Sequence, residues 1–153
     1  KYSTEEVKFL PLENLPLDLF HTGMYNESGQ TKSLIKLQNE FMIPANKFFI
    51  VMPEYNGSFP GVLKLFIDAC SVRELSKTFE GKKVALVGLA SGKAGNQRGM
   101  DHLSIVMNYL GSVVMPNKLP ISQLEQIIDE TGEIKEKETL DLIIKQVKDF
   151  IAF

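Results

Sequence analysis

The sequence predicts an α/β fold, a doubly wound parallel sheet with helices on both faces. Two continuous apolar runs, residues 48–52 (Phe-Phe-Ile-Val-Met) and 84–90 (Val-Ala-Leu-Val-Gly-Leu-Ala), have the length and residue types of strands buried on both faces. Each gives way to a loop rich in glycine and polar residues, and then to apolar residues at helical spacing. The interval between the runs leaves room for a crossover helix, which selects parallel pairing. In such sheets the loops at the carboxyl edge are where ligands bind.

Taken in order, residues 5–12 (Glu-Glu-Val-Lys-Phe-Leu-Pro-Leu) read as a short strand with partial alternation, ended by Pro11 and Pro16. Residues 12–26 form an irregular connection with a turn of helix. Leu34, Ile35, Leu37, Gln38 and Phe41 predict a helix over 31–42, closed by Pro44. The strand 48–52 breaks at Pro53, and Val62, Leu63, Leu65, Phe66 and Ala69 place a helix after the loop. A turn at 80–83 leads to the strand 84–90 and the loop 91–99. Leu103, Val106, Met107 and Leu110 define a helix over 100–110, with Gly111 as its C-terminal cap. A short strand at 112–116, a helix at 122–128 and a turn at Thr131-Gly132 follow. A terminal helix over 136–152 carries Leu140, Ile143, Ile144, Val147 and Ile151 as its buried stripe.

At 153 residues the chain suits a single domain spanning 1–153 with a proper core. Hydrophobic residues at 44% and charged ones at 24% argue against disorder. A net charge of −2 and a pI near 5.7, with no basic stripe, remove the electrostatic case for nucleic acid. Cys70 stands alone, which excludes a disulfide framework and a Cys-rich metal site, and it reads as a packed residue. His21 and His102 lack a metal-ligand spacing. No run approaches a membrane span and no signal peptide opens the chain, so the expectation is a cytoplasmic protein with no membrane partner. The sequence begins with Lys1-Tyr2 and an apolar segment follows almost at once, which implies a natural N-terminus upstream.

The two loops after the two apolar strands are the candidate site. In the first, Pro53 stiffens the strand exit, and Asn56 and Gly57 tolerate unusual backbone angles. Ser58 is placed to cap the next helix, with Pro60 early in its first turn. Exposed amides there could bond the edge of a heteroaromatic ring, with Tyr55 packing against it. In the second, Gly92, Gly95 and Gly99 leave room for a flat ligand, and Asn96, Gln97 and Arg98 add polar contacts. The blander account makes each loop a simple chain reversal and Glu54, Arg98 and Asp101 solvated charges.

The stretch Pro53-Glu54-Tyr55-Asn56-Gly57-Ser58-Phe59-Pro60-Gly61-Val62-Leu63-Lys64 closely resembles the flavin-loop signature of the NADPH-dependent FMN reductase family, whose fold is flavodoxin-like. The loop 91–99 looks like that family's second flavin loop. The resemblance implies that Pro53, Glu54, Tyr55 and Asn56 lie along the isoalloxazine ring of FMN, and that Ser91, Gly92, Gly95 and Asn96 face the same ring from the second loop. It implies hydride transfer from NADPH or NADH to the flavin and onward to a quinone-like or other small electron acceptor. The flavin carries that chemistry, so no acid, base or nucleophile is assigned. A homodimer or homotetramer is expected, with the helices after the two loops contributing to the contact.

The front of the sequence departs from the family. Members open with a strand and a Gly-Ser-x-Arg-like loop for the FMN phosphate, whereas the strand 5–12 corresponds to their second strand and residues 1–4 to the end of the intervening helix. In the order 2-1-3-4-5 the absent strand would lie between the strands 5–12 and 48–52, and its loss would leave two open edges. Two other classes compete. A flavodoxin-type electron carrier would bind FMN without oxidising nicotinamide, and such carriers tend to be more acidic than this chain. A regulatory or structural α/β module would keep the fold without the ligand.

Overall fold

An extended apolar segment becomes a strand only where a ladder partner stands beside it, and this decides which predicted strands form. The computed structural model describes Thr4 and residues 6–153. Residues 6–11 lie in no ladder, and Val7 and Phe9 are both 84% exposed. The expected strand at 5–12 is therefore not present among the described residues. Leu10, Leu12 and Leu15 still pack against the core, and short 3-10 turns at Leu12–Asn14, Leu17–Leu19 and Glu27–Gly29 lead to the first helix. The expectations placed on Lys1, Tyr2, Ser3 and Glu5 lie outside the described residues.

Helix α1 (Lys32–Leu37) starts where the Thr31 hydroxyl accepts the Leu34 amide at 3.3 Å, and it runs on into a π-helical turn at Gln38–Met42. Strand β1 (Lys47–Pro53) is followed by α2 (Gly61–Cys70) and the short α3 (Leu75–Phe79). Strand β2 (Lys83–Leu89) leads into α4 (Gln97–Tyr109). Gly111, at φ +85°, ends α4 in the left-handed conformation that a Cβ disfavours. The chain finishes with β3 (Val113–Val114), β4 (Leu119–Ile121), α5 (Leu124–Ile127) and α6 (Lys137–Ala152).

The pairings among β1, β2, β3 and β4 are parallel. β1 runs beside β2 in the register Phe48↔Val84 to Pro53↔Leu89. The other side of β2 takes β3 at its start (Val84↔Val114) and β4 at its end (Val87↔Leu119, Leu89↔Ile121). β3 and β4 thus act as one edge strand interrupted by residues 115–118. Val84 and Leu86 face a core formed with α2 and α4, which includes Phe66, Ile67, Met100 and Leu103. Ala85 faces Phe150 of α6, and Val87 packs with Leu119 and Ile121 beneath α5 and Ile143. Helices therefore cover both faces, as a flavodoxin-like sheet requires.

Several expectations need correction. β1 is not buried on both faces, because Phe49 and Val51 are 38% and 54% exposed and β1 has a single strand neighbour among the described residues. The terminal helix buries Thr139, Gln146 and Phe150, with Ile143, Ile144 and Val147 half-buried, while Leu140 and Ile151 lie exposed. The reason is polar: Gln146 donates to Asn117 O at 2.9 Å and accepts from Asn117 Nδ2 at 3.1 Å, which turns an amide toward the sheet. The helices of 63–69 and 100–110 give most of their apolar residues to the core, which leaves Ile105 and Tyr109 outside it.

Candidate functional site

Because Pro53, Leu89 and Ile121 stand side by side in register, the three central strands end on one line. Backbone bonds across that line hold their exits together: Glu54 N donates to Leu89 O at 2.8 Å, and Ala90 N to Ile121 O at 3.0 Å. Three loops consequently share the carboxyl edge. This is the edge at which α/β sheets place ligands.

The first loop is a tight reversal. Tyr55 N donates to Ser58 O at 2.9 Å and Ser58 N to Tyr55 O at 3.0 Å, with Asn56 at φ +51° and Gly57 at φ +74°. Two positive φ values in succession are the pattern of a type I′ turn, which asparagine followed by glycine adopts at least cost. Tyr55 is 60% exposed, Asn56 is exposed, and nothing lies within 4 Å of where a Gly57 Cβ would be. Pro53 is exposed and Glu54 half-buried at the strand exit. Ser58 does not cap α2: Pro60 occupies that position without a side-chain bond, and the serine Oγ lies 3.0 Å from His102 Nδ1.

The second loop divides into an open half and a packed half. Ser91, Gly92, Lys93 and Ala94 are exposed, and the space around Gly92 is free. Gly95 and Asn96 are buried. A Cβ on Gly95 would lie 2.7 Å from Pro120 Cβ, so this glycine is needed for the loop to pass over β4 rather than for ligand space. Asn96, at φ +61°, turns its side chain inward, where Nδ2 donates to Met52 O at 3.2 Å and Oδ1 has no partner among the described residues. α4 begins at Gln97, three residues ahead of the expected start, so Gln97, Arg98 and Gly99 are helical. On Gly99 a Cβ would come within 2.8 Å of Phe59 N and Ser58 C, so its bareness lets α4 lie against the first loop. Gly88 has a like role that the sequence did not single out. A Cβ there would sit 2.5 Å from Gly95 O.

The third loop, after β4, escaped sequence reasoning because residues 119–121 carry a proline and too few residues for a periodic signal. Gln123, at φ +51°, donates its amide to Gly92 O at 3.1 Å and so ties this loop to the second. A cleft of about 350 Å³ opens beside it, with Ser122, Gln123, Gln126, Glu136 and Thr139 on its walls. Nearby, Lys118 Nζ holds Asp101 Oδ1 at 2.6 Å, and this bond keeps the Asp101 carboxyl below its ordinary value of 3.8.

What the edge offers chemically is backbone. The amide N–H groups of Asn56, Gly57, Ser91, Gly92 and Lys93 have no hydrogen-bond partner among the described residues, and they crowd the tips of two neighbouring loops. Donors of this kind, beside an exposed tyrosine ring and two bare glycine positions, suit the polar edge and flat face of a heteroaromatic ring. Among the described residues no group of three or more His, Cys, Asp or Glu side chains is placed to hold a metal ion.

This arrangement defines a flavodoxin-like fold with three loops gathered at the carboxyl edge of its sheet. Residues 1–126 match the NADPH-dependent FMN reductase family, and the chain belongs to that family. It is 36% identical over 96 residues to a 2-hydroxy-1,4-benzoquinone reductase from a Burkholderia species, covering 62% of this chain and 52% of that one. It is 33% identical to an NAD(P)H-dependent FMN reductase of Pseudomonas aeruginosa (86% and 72% covered) and 30% identical to a quinone reductase of Escherichia coli K12 (97% and 78% covered). The chain thus spans about half the length of the first of these relatives and about three quarters of the other two. A solved structure of FerB, a flavoenzyme NAD(P)H:(acceptor) oxidoreductase of Paracoccus denitrificans, superposes with a TM-score of 0.76 at 21% identity. It covers 92% of this chain and 75% of that one, a likeness that establishes the fold.

Proposed function

We propose that this chain forms the flavin-site domain of an FMN-dependent NAD(P)H oxidoreductase that delivers a hydride to a quinone-like acceptor. The observation that carries this reading is the set of unpartnered amides at residues 56–57 and 91–93, gathered at one sheet edge beside Tyr55. Family membership and the quinone and FMN reductases among its relatives support the choice of cofactor and reaction class. Bound FMN would supply two-electron chemistry between nicotinamide and acceptor. The protein's part is to bind and orient: Pro53 and Glu54 border the ring, Tyr55 covers it, and the loop-tip amides meet its polar edge. Ser91 and Gly92 complete the second wall. Gly95 and Asn96 act from beneath, since their buried positions support the loops.

The test is direct. Purified protein incubated with FMN should turn yellow and then oxidise NADPH or NADH when benzoquinone is present. Protein that stays colourless overturns the reading, and flavin that remains oxidised on rapid mixing with either nicotinamide makes the protein an electron carrier instead.

The reading extends to assembly and location. Ile105 and Tyr109, 69% and 89% exposed on the outer side of α4, support a homo-oligomeric contact on that helix. Tyr109→Glu should lower the mass in solution, and an unchanged mass removes α4 from the contact. No helix among the described residues is long and apolar enough to cross a membrane, and a reductase fed by nicotinamide cofactors fits a cytoplasmic site.

A further inference from the structure

The tip of the first loop has little to hold it. Gly57 has open space where a side chain would be, Tyr55 and Asn56 are exposed, and the turn is closed by its own two backbone bonds. What does reach it comes from α4. Asn96, Gly99 and His102 recur at every third residue, so they follow one side of the helix start. Asn96 bonds the carbonyl of Met52 before the loop, Gly99 lies against the Ser58–Phe59 backbone, and His102 Nδ1 meets Ser58 Oγ at 3.0 Å. The last contact is the one that hydrogen-bonds a side chain of the turn itself. Ser58 caps no helix, and its hydroxyl has no other partner among the described residues.

We propose that His102 is a positioning residue, whose ring latches Ser58 and so presets the Tyr55–Ser58 turn for the flavin ring. The inference rests on the flavin reading above. Physically, the bond moves the ordering of an exposed turn from the binding step to the folding step, and preorganisation of this kind appears as ligand affinity. The bond is worth what an ordinary hydrogen bond contributes, which corresponds to about three- to tenfold in a dissociation constant.

The experiment compares the wild-type chain with Ser58→Ala, His102→Ala, the double variant and His102→Asn, whose amide can stand where Nδ1 stands. FMN affinity is read by fluorescence quenching, and amide exchange across residues 55–58 is read without FMN. Each alanine variant should bind FMN about three- to tenfold more weakly and exchange faster at the turn. The double variant should be no worse than either single one, and His102→Asn should recover most of the loss. Wild-type affinity in His102→Ala, or additive losses in the double variant, overturns the latch. If the wild-type chain takes up no FMN, the flavin reading fails and exchange alone decides. Faster exchange in His102→Ala then supports the latch, and unchanged exchange overturns it.

Discussion

Residues that look alike in the sequence do different work once placed. Gly92 and Gly99 both sit in what reads as one glycine-rich loop, yet Gly92 borders open space and Gly99 is pressed against the backbone of the first loop. Substituting each with alanine separates the two roles. Gly99→Ala should destabilise the fold by about 1–3 kcal/mol, because the new methyl would collide with the buried Asn96 side chain as well as with the Ser58–Phe59 backbone. Gly92→Ala should leave thermal stability nearly unchanged and act only on FMN affinity. Tyr55 is a third case: its side chain is exposed and has no hydrogen bond among the described residues, so the ring contributes little to folding. Tyr55→Ala should weaken FMN roughly three- to tenfold by removing ring contact, measured by titration, and an unchanged affinity would take Tyr55 out of the site. The first loop was legible at this scale because proline, asparagine and glycine announce backbone geometry. Asn96 was legible only as a polar loop residue, since nothing in a sequence tells whether an amide points out to a ligand or inward to Met52 O.

Cys70 shows how burial at one residue becomes a pH dependence. It is fully buried at the end of α2, and that burial pushes its thiol up to about 12 from an ordinary 9.0. The folded state therefore keeps a proton that the unfolded chain releases. The contribution to stability is complete below 9.0 and is lost as pH rises toward about 12, by up to roughly 1.4 kcal/mol per pH unit. Comparing wild type with Cys70→Ala in denaturant series across that window isolates the term, because only the wild-type curve carries it. The same thiol should resist alkylation in the native state.

Among the elements, those with a strong period or burial on two faces were legible and those fixed by partners were not. β2 reads correctly because five successive buried residues leave no ambiguity. The segment 5–12 alternates like a strand, but its described residues 6–11 lie in no ladder, and β4 forms despite Pro120 because β2 supplies one. The π-helical turn after α1 belongs to the second kind. Gln38 lies fully buried there, and its Nε2 faces Cys70 O at 2.9 Å, Arg73 O at 2.6 Å and Thr78 Oγ1 at 2.8 Å. One amide thus joins the end of α2, the turn after it and α3. In the sequence it looked like one more position on a helical stripe. Gln38→Leu leaves those acceptors buried without a donor and should cost about 2–4 kcal/mol, read from chemical unfolding. A loss within 0.5 kcal/mol would mean that the clasp is dispensable.

At the scale of the whole molecule, the two outer sides of the sheet differ in how much open edge they present. The β3–β4 side is two short strands of 2 and 3 residues interrupted by residues 115–118, whereas β1 presents seven consecutive residues with no strand on the far edge among the described residues. Phe49 leans on Phe150 with ring centroids 5.8 Å apart, but Val51 has no such cover. An exposed edge with apolar side chains is a template for pairing with another strand. The 153-residue polypeptide on its own should therefore self-associate as its concentration rises, separately from any contact through α4. A lysine in the middle of the edge opposes this by bringing charge to the approaching strand, and at an exposed position it should change stability by no more than about 0.5 kcal/mol. Val51→Lys should consequently lower the concentration-dependent mass in sedimentation while the melting temperature holds. Tyr109→Glu should leave that concentration dependence in place, because it lies on α4 and not on β1. If Val51→Lys and wild type sediment alike at every concentration, the edge is not where copies of this chain meet, and the exposed valine is only a surface residue.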